Sequence, residues 1–195
     1  MITDVAKTQR QRDTERILQS IHFTTANSPV LVVLVGLPAS GKTCLAAELS
    51  KRTGAAVIES DAVRKLLVQV RCYTHAENRR VFAAVHAAVD ATLARVAMAI
   101  VDATNLAERD RVPLYKIAER RAARLVLVHV VAPFEVARQR LEQRASADTH
   151  SEANLSVYER MQWRTEEIRR PHRFIDTSMD IEPAVAALTK EMMQS

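Results

Sequence analysis

Two of the chain's three glycines fall within one eight-residue run, Gly36-Leu37-Pro38-Ala39-Ser40-Gly41-Lys42-Thr43. The run fits G-x-x-x-x-G-K-[ST], a spacing that cradles phosphate groups. Glycine averages about 7% of a protein, so a chain this poor in glycine is placing it selectively. Gly36 and Gly41 permit backbone angles closed to other residues, which lets successive N–H groups curl around an anion. In such a loop Lys42 brings a point charge to the β- and γ-phosphates, and the Thr43 hydroxyl is placed to ligate Mg2+. Leu37, Pro38, Ala39, Ser40 and Cys44 complete the stretch that would wrap a nucleotide's phosphates.

The flanking residues supply the elements that such a loop needs. Val30-Leu31-Val32-Val33-Leu34-Val35 is too short for an ordinary helix and rich in β-branched residues, which predicts a parallel strand buried on both faces. The residues from Cys44 to Leu49 are helix formers, and Gly54 is a C-terminal stop, so a helix N-terminus points its dipole at the bound phosphate. Four more strands are predicted at Ala55–Glu59, Met98–Val101, Arg124–Val131 and Arg173–Ile175. The intervening helices fall at Ala62–Gln69, Ala76–Val96, Ala107–Arg121, Pro133–Arg144, Ser151–Arg169 and Ile181–Met193. Alternating strands and helices predict an α/β three-layer fold, a five-stranded parallel sheet with helices on both faces. Residues 1–28 form an N-terminal helical extension ahead of a domain over 29–195, with a small lid near 145–150.

In such a sheet, ligands bind outside the carboxyl ends of the strands. Those ends carry Ser60-Asp61, Asp102-Ala103-Thr104-Asn105 and Asp176-Thr177-Ser178. Asp61 and Asp102 have the chemistry to orient a hydroxyl or hold a metal; each would also serve as a helix cap. Bulk composition restricts the classes further. A 48% hydrophobic, 26% charged chain of 195 residues is globular and suits one domain. No apolar run approaches a membrane span, and the N-terminus has no signal-peptide h-region, so a cytoplasmic protein without membrane partners is expected. Two cysteines and six histidines without ligand-like spacing predict neither a disulfide framework nor structural zinc. The net charge of +5 permits an anionic partner without requiring one.

At Ser60-Asp61-Ala62-Val63-Arg64-Lys65 the chain resembles the P-loop kinases allied to polynucleotide 5′-hydroxyl kinases, zeta-toxin kinases and chloramphenicol phosphotransferase, a group of AAA-type ATPases. The resemblance rests on the loop, on Asp61 with Arg64, and on Val101-Asp102-Ala103-Thr104-Asn105 followed by Arg111. It extends to Arg140-Leu141-Glu142-Gln143-Arg144 before the lid and Ser151-Glu152-Ala153 after it. Ala39 stands where relatives often have glycine, and Cys44 where Thr or Ser is common. The resemblance implies an ATP–Mg2+ phosphotransferase in which Lys42, Asp61 and Arg144 are catalytic and Thr43 and Asp102 hold Mg2+. Arg140 would clamp the nucleotide as a lid arginine, while Asp61, Arg64, Asn105 and Arg111 would meet the acceptor. The alternative reading takes Arg140 and Arg144 as a helix surface paired with Glu135 or Glu142, Asn105 as a cap, and Arg111 as a surface cation. The expected activity is transfer of the γ-phosphate to a hydroxyl of a small molecule. A polynucleotide 5′-hydroxyl kinase acting on RNA or DNA ends is the first alternative, and an ATPase switch or assembly module the second.

Overall fold

The computed structural model describes residues 2–147 and 155–194, with side chains for 8–143 and 155–194. The chain runs α1 (Ile2–Ser20), β1 (Val30–Val35), α2 (Lys42–Thr53), β2 (Ala56–Glu59), α3 (Ser60–Leu67) and α4 (His75–Leu93). It continues through β3 (Met98–Asp102), α5 (Glu108–Arg120), β4 (Arg124–Val131), α6 (Phe134–Ala147), α7 (Leu155–Gln162), β5 (Arg173–Asp176) and α8 (Glu182–Met193). All five strands pair in parallel in the order β2-β3-β1-β4-β5.

The sheet is sandwiched as its sequence requires. β1 is central, and its six residues are at most 1% exposed. Leu31, Val33 and Val35 face a core shared with α3, α4, α5 and Ile17 of α1. Val30, Val32 and Leu34 face the opposite core, closed by α2 and α8. Alternating sides with a period of two puts an apolar residue on each face at every step. A third, small cluster joins Ala39 to Ala137, Leu141 and Tyr158, seating α6 and α7 against the phosphate loop.

The N-terminal helix packs on the domain. Asp13, 2% exposed, takes a two-pronged ion pair from Arg80 of α4 at 2.9 Å. Arg16 donates to the carbonyl of Leu66 near the end of α3 at 2.8 Å.

One predicted helix is shortened. Ser151–Arg169 reads as a single helix in the sequence, yet α7 stops at Gln162 and residues 165–169 have no regular structure. Their backbone is bonded elsewhere: the N–H of Glu166 goes to the Leu106 carbonyl, and the carbonyls of Glu166 and Glu167 accept from Arg111. Of the expected lid, residues 145–147 continue α6, and 148–150 lie outside the described residues.

Candidate active site

The phosphate loop begins where β1 ends. Gly36 donates its N–H to the Thr104 carbonyl at 3.0 Å, tying the loop to the segment after β3. A Cβ on Gly36 would lie 2.2 Å from the Val130 carbonyl oxygen and 2.7 Å from Ser40 Oγ, so glycine is required by close approach. Gly41 has φ of 93°, and a Cβ there would meet Thr177 at 2.8–3.0 Å. Ala39 also takes a left-handed conformation, φ 60°, at a cost of roughly 1–2 kcal/mol for a residue with a Cβ. The absence of glycine at this position therefore leaves the loop geometry in place and adds strain. Lys42, 8% exposed, turns back along its own loop, donating to the Leu37 carbonyl at 2.7 Å. Thr43 and Cys44 are exposed on the first turn of α2.

Two carboxylates close adjacent strands. Asp102 ends β3 at 3% exposure, and Glu59 ends β2 in register with it. Because β3 lies between β1 and β2, Asp102 stands between the phosphate loop and Asp61, with strands about 4.8 Å apart. Asp61 is exposed in the first turn of α3, where the helix dipole favours its charge. Sequence reasoning passed over Glu59, whose signal was only a carboxylate closing a short strand.

Arg64 does not join Asp61 in an open pocket. It is 4% exposed and turned toward α4, where it pairs with Glu77 and donates to Asn78 Oδ1 at 2.8 Å beneath the Tyr73 ring. Glu77 also accepts the N–H groups of Cys72 and Tyr73. Desolvation pushes the Glu77 carboxyl up, but these donors outweigh it and hold the group below its ordinary value. In this structure Arg64 anchors the loop between α3 and α4.

Asn105 and Arg111 are likewise internal. Asn105 is 3% exposed and donates Nδ2 to the Leu34 carbonyl at 2.7 Å, with φ of 48°. Arg111 is 0% exposed, and its guanidinium is spent on Glu108 and on four backbone carbonyls. That burial overturns the alternative reading of Arg111 as a surface cation.

Arg140 reaches the phosphate loop from α6. It donates to the Ala39 carbonyl at 3.1 Å and to Thr177 Oγ1 and the Thr177 carbonyl, each at 2.8 Å. Thr177 in turn donates to the Ser40 carbonyl at 2.8 Å. Thr177, visible in the sequence only as part of a strand end, is therefore a direct support of the loop. The side chain of Arg144 lies outside the described residues.

A pocket of about 110 Å³ opens between the loop, the end of β4 and helices α6 and α7. Leu37, Pro38, Leu106, His129, Tyr158 and Thr165 line it. Burial lowers the pKa of His129, and His172 and Arg111 push it the same way; its ring packs edge-on against His172 and Phe174. His129 and Tyr158 carried no sequence signal beyond apolar surroundings.

A glycine-dependent loop between β1 and α2, with a carboxylate ending the neighbouring strand of a parallel sheet, defines a P-loop NTPase-like α/β protein. Residues 31–168, more than half the chain, match the family model AAA_33, described as an AAA domain, and the chain belongs to that family. The solved structures that share the fold include the following three. Kti12 of Chaetomium thermophilum, determined with ADP–AlF3, is 23% identical, with a TM-score of 0.67 over 85% of this chain and 100% of that one. The Mycobacterium tuberculosis APS kinase CysC, determined with AMPPNP and APS, is 18% identical, with a TM-score of 0.61 over 86% and 99%. A sugar kinase of Janibacter is 19% identical, with a TM-score of 0.61 over 83% and 93%. No curated protein matches the chain.

Proposed function

We propose that the protein is a kinase that transfers the γ-phosphate of ATP to a hydroxyl group of a small-molecule acceptor. The observation that carries this reading is the line of groups along the carboxyl edge of the sheet. The phosphate loop closes β1, Asp102 closes β3, and Asp61 follows β2. The order is the one transfer requires: phosphate binding, then charge neutralisation, then acceptor.

Phosphoryl transfer asks for positioning and electrostatics more than for covalent chemistry. Loop N–H groups and the Lys42 ammonium bind and orient the phosphates, the ammonium exchanging the Leu37 carbonyl for a phosphate oxygen. The cradle around Gly36 and Gly41, which a Cβ would fill, fits that use. Thr43 and Asp102 would hold Mg2+; both offer hard oxygen ligands, and Mg2+ typically takes only one or two from protein. When bound, Mg2+ neutralises charge on the β- and γ-oxygens. Asp61, exposed in the first turn of α3, orients the acceptor hydroxyl and accepts its proton. Arg140 and Thr177 keep the opposite side of the loop from shifting.

The small-molecule acceptor is favoured by the internal roles of Arg64 and Arg111. Both cations that an anionic strand end would have called on are paired inside the fold. The test is transfer of labelled γ-phosphate from ATP–Mg2+ to a metabolite pool and, in parallel, to 5′-hydroxyl oligonucleotides. Label in a metabolite is expected, lost in Lys42→Ala and reduced at least about 100-fold in Asp61→Asn with ATP affinity retained. Label on oligonucleotide ends would replace the proposed acceptor by a nucleic acid. Label in free phosphate alone would overturn the kinase reading in favour of an ATPase switch.

A further inference from the structure

Arg111 is the largest fully buried side chain of the protein's described residues. Its guanidinium joins two segments distant in sequence. Nη1 donates to the carbonyls of Asn105 at 3.0 Å and Leu106 at 2.7 Å, in the segment that follows β3. Nη2 donates to the carbonyls of Glu167 at 2.9 Å and Glu166 at 3.4 Å, in the segment that follows α7. Nε goes to Glu108 at 3.0 Å. Two more bonds run between the same segments: Glu166 N–H to the Leu106 carbonyl at 3.0 Å, and Glu108 N–H to Glu166 Oε2 at 2.8 Å.

The first of these segments is itself fastened to the phosphate loop. Thr104 accepts the Gly36 N–H, and Asn105 donates Nδ2 to the carbonyl of Leu34, two residues before the loop. A continuous chain of bonds therefore leads from residues 166–167 through Arg111 to the first residue of the loop. The pocket beside the loop has one wall from each fastened segment, Leu106 and Thr165.

We infer that Arg111 is a positioning residue for the phosphate loop: it straps residues 166–167 to residues 105–106 and so fixes both the start of the loop and the wall of the adjoining pocket. The inference rests on the reading of this edge as a phosphoryl-transfer site. A planar guanidinium with five N–H groups satisfies four carbonyls and a carboxylate at once, whereas a lysine ammonium has three donors and no fork. A buried charge is costly, and an apolar side chain of similar volume is often at least as stable. The arginine is therefore explained by the geometry it imposes.

The test combines amide exchange with kinetics on Arg111→Lys. The informative amide is that of Gly36, whose N–H is bonded to the Thr104 carbonyl and not to a group that Arg111 holds. In the variant, protection at Gly36 and Glu166 is expected to fall together by about tenfold or more, and kcat to fall roughly 10- to 100-fold with KM for ATP moving less than about threefold. Loss of protection at Glu166 with Gly36 unchanged would overturn the inference, as would kinetics equal to those of the unaltered protein. Should Arg111→Lys fail to fold, Glu166→Ala replaces it. Glu166 is exposed, and among the described residues its carboxylate holds only the Glu108 N–H. This variant is expected to lower protection at Gly36 and reduce kcat at least about twofold, and unchanged values for both would overturn the strap. If the unaltered protein transfers no phosphate from ATP, the kinase reading falls by itself. Exchange then decides the strap: saturating ADP–Mg2+ must raise protection at Glu166 along with Gly36, and a rise at Gly36 alone refutes it.

Discussion

Replacing Gly36 with alanine tests how tightly the loop is held against the sheet. The added Cβ would sit 2.2 Å from the Val130 carbonyl oxygen, more than an ångström inside the 3.4 Å at which ordinary contact begins. The obstacle is backbone of β4, a strand paired on both sides by β1 and β5, so it cannot rotate away as a side chain would. The start of the loop must therefore move by about an ångström, a displacement worth roughly 100-fold in rate when it misaligns reacting groups. Gly54→Ala is the matched control. Its φ of 69° makes alanine unfavourable there by roughly 1–2 kcal/mol, but the atom it meets is the Thr24 hydroxyl, and Gly54 caps α2 at the end remote from the loop. Steady-state phosphate transfer, ADP titration and thermal unfolding on the two variants separate the cases. Gly36→Ala should lose about 100-fold in kcat, whereas Gly54→Ala should lower Tm with kcat retained. Turnover in Gly36→Ala within about threefold of the parent would refute the argument that the loop is pinned by close approach.

Two further outcomes follow from the paired groups. Thr177→Val removes the hydroxyl that joins Ser40 to Arg140, and ADP affinity should fall by up to about tenfold; unchanged affinity would show that the loop stands without this support. Asp90 is held at a pKa of about 2, first by the hydrogen bond from Arg121, against the opposing effect of burial, and then by Arg120. Its folded value lies below the ordinary 3.8, so its stabilisation is full above about pH 4 and lost as the pH falls toward 2. Discounted for partial exposure, that stabilisation is about 1 kcal/mol. The Tm gap between the parent and Asp90→Asn should shrink between pH 6 and pH 2.5, and a constant gap would refute the assignment.

The sheet was legible because its signals are local. Val30–Val35 alternates nothing and must be buried on both sides, and the glycine spacing that follows leaves one conformation. Asp102 was legible for the same reason, as a charge closing an apolar run. The orientation of cations was not. Arg64 and Arg111 have the same appearance in sequence as any surface arginine, and only the tertiary contacts with Glu77 and with the carbonyls of 105–106 and 166–167 turn them inward. The overlong helix after residue 150 has the same origin. The composition of 163–169 suits a helix, yet the backbone groups of Glu166 and Glu167 are claimed by partners 55 or more residues away. Glu59 and Thr177 lacked a motif; their meaning comes from register across a strand pair and from close approach to a glycine.

The helix that precedes the family-matched segment has a consequence for how this fold is cut and transplanted. Through Arg16 and the Asp13–Arg80 clasp, α1 buttresses the rear of α3 and α4, while the front of α3 carries Asp61. A chain trimmed to residue 30 would keep every atom of the phosphate loop and lose the backstop of the helix across from it. Under the proposed function, the nucleotide side would survive the excision and the acceptor side would drift. The family match begins at residue 31, while the contacts that brace α3 and α4 begin at Asp13 and Arg16.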